Sequence, residues 1–251
     1  MISYEYPLSE RVRTLLRFED LYERVEYFLA KSDAEEHHAA LVSTFEILEV
    51  ASRADLKSDL LQELERQKQV LEALRDNPDI SEEALENVLW QIDQSSSRLF
   101  QASGKVGQEL RENEWLMSIK QRTAIPGGVC EFDLPSYHYW LQQEPDVRRH
   151  DLQQWLAPFL PTRDAIGIVL RLLRESGKTT AQVAQQGVYQ QMMAGRMSQM
   201  LRIGLAGDHA CVPEISANKY ALNIRFTTQE GMQRPKASES DVEFELTFCN
   251  L

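Results

Sequence analysis

The sequence predicts an α+β protein, mainly a helical bundle with a smaller antiparallel β-strand domain. Apolar residues recur in steps of three and four along the first 120 residues, the spacing of an amphipathic helix. A Pro-Gly-Gly break at Pro126–Gly128 interrupts that rhythm. Short runs that alternate apolar and polar residues then collect towards the C-terminal end, the period of a half-buried strand.

The helices follow in order. Leu15, Phe18, Tyr22, Val25 and Leu29 lie on one helical stripe, with Pro7 and Ser9 marking its start, since a serine hydroxyl can cap the free N–H groups of a first turn. A second segment carries Leu41, Phe45 and Leu48. A third carries Leu60, Leu64, Leu71 and Leu74 and stops at Asn77-Pro78, because proline cannot continue the hydrogen-bond ladder. Asp79 with Glu82 three residues on reads as a capping box for a fourth, whose stripe is Leu85, Leu89, Ile92 and Leu99. Short breaks between long amphipathic segments imply antiparallel packing of the bundle, assigned to residues 1–123.

Residues 124–251 form the mixed part. Gly127 and Gly128 permit a turn, and Val129 to Leu134 alternates like a strand, so a strand is expected at about 128–134. Helical spacing returns over about 136–176, with Leu156, Phe159, Leu160, Ile166, Val169, Leu170 and Leu173 as the apolar surface that packs back on the bundle. The Gln-, Gly- and Met-rich stretch 177–199 reads as a loop or connector. Strands are expected at about 200–206 (Leu201, Ile203, Leu205), 220–228 (Leu222, Ile224, Phe226) and 241–249 (Val242, Phe244, Leu246, Phe248). No internal repeat is evident.

Charge narrows the function classes. Residues 1–100 hold 22 acids against 11 bases, a balance of −11, and the remaining 17 acids and 16 bases leave −1 of the total −12. Nucleic acid and anionic membrane surfaces are repelled by the first hundred residues, though the near-neutral remainder leaves room for a local basic patch. No apolar stretch is long enough to span a bilayer, and MISYEYPLSERVR lacks the apolar middle of a signal peptide, so membrane insertion is not expected and a cytoplasmic location is. Cys130, Cys211 and Cys249 form no C-x-x-C pair; reduced thiols are expected rather than a disulfide framework.

Catalytic and cofactor motifs are scarce. Ser176-Gly177-Lys178-Thr179-Thr180 resembles the end of a phosphate-binding loop. However, Leu172 stands where that loop needs its first glycine, and the preceding residues read as helix rather than strand. A helix end capped by Gly177 is the better reading of the run, and a nucleotide site is rejected. The five histidines form no H-E-x-x-H pair and no zinc-finger spacing, and adjacent His37 and His38 diverge by about 100° on a helix. No metal, no cofactor and no catalytic residue is therefore assigned, and a non-enzymatic protein is expected.

Basic residues are more suggestive. Arg53 and Lys57 are four apart and share a face at the start of the third helix. Arg111, Lys120 and Arg122 lie near the end of the bundle, and Lys219 and Arg225 flank a strand. Arg225 falls on the face opposite Leu222, Ile224 and Phe226. Such cations beside aromatic residues could grip an extended peptide; alternatively, Glu243 and Glu245 could pair with Arg225 or Arg202 across the sheet.

The run KVGQELRENEWLMSIKQRTAIPGGVCEFDLPSYHYWL (105–141) resembles the central signature of the ZapD family of bacterial division proteins, with IPGG followed by FDLP at its core. YEYPLSERVRTLLRFE, LLQELERQ (60–67) and PEISANKYALNIRF (213–226) are similar to the same family in order, so the likeness spans nearly the whole chain. The resemblance implies a homodimer, with its interface in the bundle, that binds the C-terminal tail of FtsZ and bundles FtsZ filaments at the mid-cell division site. Two equivalent sites per dimer would let it bridge two filaments. It also implies that basic residues near the domain junction grip the tail. Arg53, Lys219 and Arg225 stand at matching positions, and Lys57, Arg111, Lys120, Arg122 and His138 are assigned to the same partner-binding site. Ala221 replaces a residue that is often basic in relatives. Two other readings remain open: a helical scaffold for another cytoplasmic protein, and an enzyme of unrecognised type.

Overall fold

The computed structural model describes residues 1–52, 55–102, 104–193, 198–207, 211–229, 231 and 234–251. In chain order, β1 (Ile2–Pro7) is followed by α1 (Glu10–Leu29), α2 (Ala34–Ser52), α3 (Leu56–Glu72) and α4 (Glu82–Gln101). Then come α5 (Gln108–Glu112), α6 (Glu114–Thr123), α7 (Pro135–Leu141), α8 (Pro145–Leu156), a 3₁₀ turn at Ala157–Phe159, and α9 (Leu160–Glu175). The chain closes with β2 (Lys178–Ala184), β3 (Val188–Met192), β4 (Met200–Leu205), β5 (Val212–Ala217), β6 (Ala221–Thr228), β7 (Lys236–Ala237) and β8 (Val242–Cys249). The α+β class stands, and two compact units divide the chain: Thr14–Val169, and Met1–Arg13 with Leu170–Leu251.

The helical unit is built on the stripes that the sequence shows. Leu15, Phe18, Tyr22 and Val25 of α1 are buried, as are Leu41, Phe45 and Leu48 of α2, Leu60 and Leu64 of α3, and Leu85, Leu89, Ile92 and Leu99 of α4. Ser9 caps α1 by accepting from the Val12 N–H at 3.2 Å. The cap of α4 is Ser81, whose hydroxyl accepts from the Ala84 N–H at 3.4 Å; Asp79 lies in the preceding turn, its N–H given to the Asn77 side chain. The helices after the Pro-Gly-Gly break group with those before it as far as Val169, so the division by contact falls inside α9 and not at 123/124. Their apolar faces make this so: Tyr137, Trp140, Leu152, Leu156 and Phe159 are buried, and the Tyr22 hydroxyl donates to the Phe159 carbonyl at 2.8 Å.

The expected strand at 128–134 is absent. Consecutive turns run through it instead, with Gly128 N–H bonded to Ile125 O, and Asp133 and Leu134 N–H both bonded to Cys130 O. The alternating pattern there finds no partner strand, and Phe132 is left 80% exposed.

The other unit is two four-stranded antiparallel sheets, ordered β1-β4-β8-β2 and β3-β6-β5 with β7 beside β6. The three expected strands appear as β4, β6 and β8. Leu201, Ile203, Leu205, Leu222, Ile224, Phe226, Val242, Phe244 and Leu246 form one core between the sheets. The stretch expected as a loop at 177–199 contains β2 and β3, joined by a tight hairpin in which Gln186 (φ 49°) and Gly187 (φ 72°) both take left-handed backbone. Residues 194–197 of that stretch lie outside the described residues. β2 was hard to read because its pattern is exposed nearly throughout, so no apolar alternation marks it.

Candidate functional site

The cations assigned from sequence fall in three places. Arg53 lies outside the described residues.

In the helical unit, the end of α2, the start of α3 and the segment between α4 and α5 line a cavity of about 670 Å³, and a smaller one of about 310 Å³ shares its Lys57, Lys105 and Gln108. Lys57 and Arg111 both belong here. Both are engaged with backbone carbonyls. Lys57 Nζ donates to Ala102 O at 2.6 Å and Phe100 O at 3.1 Å, satisfying open carbonyls at the end of α4. Arg111 donates to Val106 O at 2.9 Å and Leu48 O at 3.3 Å, doing the same for the last turn of α2. Among the described residues Lys105 is the exposed cation of this cavity and was not assigned from sequence; its place at the head of the 105–141 run was the available signal.

A second group surrounds the turns at 125–134. Lys120 is ion-paired to Glu49, Arg122 reaches Asp133 at 3.4 Å, and His138 stands 3.8 Å from Glu131. Each is thus matched by an acid. Exposed Ile125, Phe132 and Tyr139 belong to the same stretch.

Lys219 and Arg225 belong to the β unit. Successive strand residues point to opposite faces, so Ala221, Asn223 and Arg225 share the face of β6 that looks away from the inter-sheet core. In the ladder Arg225 stands between Val188 of β3 and Glu214 of β5. Arg225 is exposed, and no ion pair closes between it and Glu214. Among the described residues it has no ion-pair partner. Pairing with Glu243 or Glu245 is not found: those side chains lie on the outer face of the other sheet, across the shared core. Arg202 turns to Glu5 at 3.4 Å. Lys219 sits in the β5–β6 turn, which the Asn218 side chain fixes by accepting from the Tyr220 and Ala221 N–H groups at 2.8 and 3.0 Å. Its ammonium lies 4.7 Å from the Tyr220 ring centre. Exposed Val188, Met192, Val212 and Tyr220 surround these cations, an apolar setting that sequence reading did not identify.

Among the described residues no group of three His, Cys, Asp or Glu side chains could hold a metal ion, and no helix is long and apolar enough to cross a membrane.

These features define an α+β protein whose exposed cations stand beside apolar side chains, on surfaces rather than in a pocket of clustered titratable groups. The chain belongs to the ZapD family of cell division proteins, whose sequence profile matches residues 16–225. It is 60% identical over 251 residues to the cell division protein ZapD of Azoarcus sp. (strain BH72), covering all of both chains. Identity is 58% over 251 residues to that of Aromatoleum aromaticum, covering all of this chain and 98% of the relative. It is 60% over 252 residues to that of Dechloromonas aromatica, again covering both in full. The protein is accordingly a cell division factor.

Proposed function

We propose that this division factor is a non-enzymatic crosslinker: it binds the C-terminal tail of FtsZ and, as a homodimer, bundles FtsZ filaments at the division site. The observation that carries the reading is Arg225, a cation with no ion-pair partner among the described residues, on a sheet face that also exposes Val188 opposite it and Met192 and Tyr220 towards the β5–β6 turn. An extended peptide bearing a carboxylate next to apolar side chains suits that surface. The carboxylate meets a guanidinium it need not win from another acid, and the apolar side chains cover exposed surface.

The other assigned cations take supporting roles in this reading. Lys57 and Arg111 hold helix ends in place, and among the described residues Lys105 is the exposed cation of that cavity, placed to meet an acid. Lys120, Arg122 and His138 are balanced locally and contribute little net attraction. Tail engagement at one site per protomer is modest, and two sites in one dimer hold two filaments through raised effective concentration.

The test is cosedimentation of the purified protein with intact and with tail-deleted FtsZ. Bundling of the intact filaments alone is the expected result. Failure to bundle intact FtsZ removes the crosslinking role, and equal bundling of both forms removes the tail as the target.

A further inference from the structure

The helical unit contains a buried cation with no carboxylate on it. Arg148 is 5% exposed and starts from α8. Its guanidinium donates to Leu141 O and Ser32 O, each at 2.7 Å, to Gln143 O, and through Nε to His37 Nδ1 at 3.0 Å. All four partners are neutral acceptors. His37 itself is fully buried near the start of α2, and its other ring nitrogen, Nε2, donates to Lys31 O at 3.0 Å. A guanidinium does not give up its proton, so Nδ1 must offer a lone pair and Nε2 must carry the hydrogen. The ring is therefore held neutral, in one tautomer.

We propose that the His37–Arg148 pair is an acid-sensitive lock of the helical unit: one proton taken from solvent at His37 Nδ1 ends its bond to Arg148 and frees the α7–α8 segment from the turn between α1 and α2. The bonds at stake join those two regions. Arg148 ties the α7–α8 junction to Ser32, and Arg149 beside it ties α8 to Leu29 O and Lys31 O at 3.1 and 2.7 Å. Once His37 is charged, two cations face each other where water is excluded.

The surrounding charges oppose protonation. From α8, Arg148 and Arg149 face the ring, and Asp146 is taken up by Arg149. From the α1–α2 turn, Lys31 presents its carbonyl while its ammonium lies over the Tyr27 ring. Asp33 and Glu36 are engaged with backbone N–H groups at the start of α2, and Glu35 lies between them. From α7, Tyr137 bonds to the neighbouring His38 at 2.6 Å and not to His37. Burial and then the two arginines hold His37 below the ordinary histidine range, against the carbonyl bonds from Lys31 and Leu29. The sign follows. The opened form takes up the proton near the free-histidine value of about 6.5 and the locked form at lower pH, so the lock weakens as pH falls through that interval.

The experiment uses the full chain labelled with ¹⁵N-histidine, titrated by NMR from about pH 7.5 to about pH 5, with hydrogen-exchange protection measured on residues 141–149. The expected result is an Nε2–H tautomer at neutral pH that titrates below the free-histidine value of about 6.5. Protection of 141–149 then falls up to ~tenfold for each pH unit that separates the free and locked values. Titration of His37 at or above the free-histidine value of about 6.5, an Nδ1–H tautomer, or protonation with unchanged protection would each overturn the proposal. His37→Asn keeps an acceptor for Arg148 but has no site for the proton, and its protection is expected to be insensitive to acid. The same loss as in the parent protein would also sink the lock, and the parent titration decides the matter should this variant fail to fold.

Discussion

The residues assigned to the proposed binding site differ in what their charge is already doing. Arg225 is exposed and unpaired among the described residues, so Arg225→Glu should leave the fold intact and weaken binding of a labelled FtsZ tail peptide by about tenfold at low salt, read by fluorescence anisotropy. Unchanged affinity would remove Arg225 from the proposal. Ala221 shares its strand face two alternations away, roughly 13 Å along the chain. Ala221→Arg adds a second cation there and should tighten the same complex and steepen its salt dependence. Lys57 behaves otherwise. Lys57→Met removes two bonds to carbonyls at the end of α4 and should cost about 1–2 kcal/mol in urea unfolding, an effect on stability that a binding assay alone would misread. Sequence could place these side chains on faces but not show what each was paired with. Periodicity carries direction, while the partners of Lys57, Arg111 and Lys120 come from elements 43 to 71 positions away that only folding brings near.

At the scale of elements, legibility tracked burial. α1 to α4, β4, β6 and β8 were readable because each buries a stripe or face, and their apolar spacing records it. β2 and β3 lie at sheet edges, with exposed residues nearly throughout β2 and alternating in β3, and so left little apolar signal. The run 128–134 shows the converse, since alternation without a neighbouring strand yields turns. What does mark the β2–β3 hairpin is Gly187. A Cβ built there would meet Ser238 Cβ at 2.8 Å and Ser238 O at 2.9 Å, on a backbone that side chains already disfavour. Gly187→Ala should therefore destabilise the hairpin by about 2 kcal/mol, seen as faster amide exchange in β2 and β3; an unchanged exchange rate would contradict the turn geometry.

For the whole molecule, the proposed crosslinking rests on having two sites. Bundling requires both to be occupied at once, so it should fall more steeply with salt than the binding of a single tail does. Light scattering of FtsZ filaments, set against peptide anisotropy over the same range of about 0.05 to 0.5 M salt, makes the comparison. Equal slopes would argue for single-site engagement and against a bivalent bridge. The family and its division role were legible in the ordered motifs between residues 4 and 226 and hold across the chain. The split into units was not, because it joins the first thirteen residues to the last third of the sequence.

That joining has a consequence for how the protein is made. β1 pairs with β4, Ile2 opposite Leu205, roughly two hundred residues apart. β1 is made before the helices and well before β4, so the helical unit can fold while that strand still has nothing to bind. For most of translation, then, Ile2–Pro7 is a waiting strand with an unfilled edge. Its sheet can close only once β4 and β8 have been made, and until then a chaperone has the most to protect.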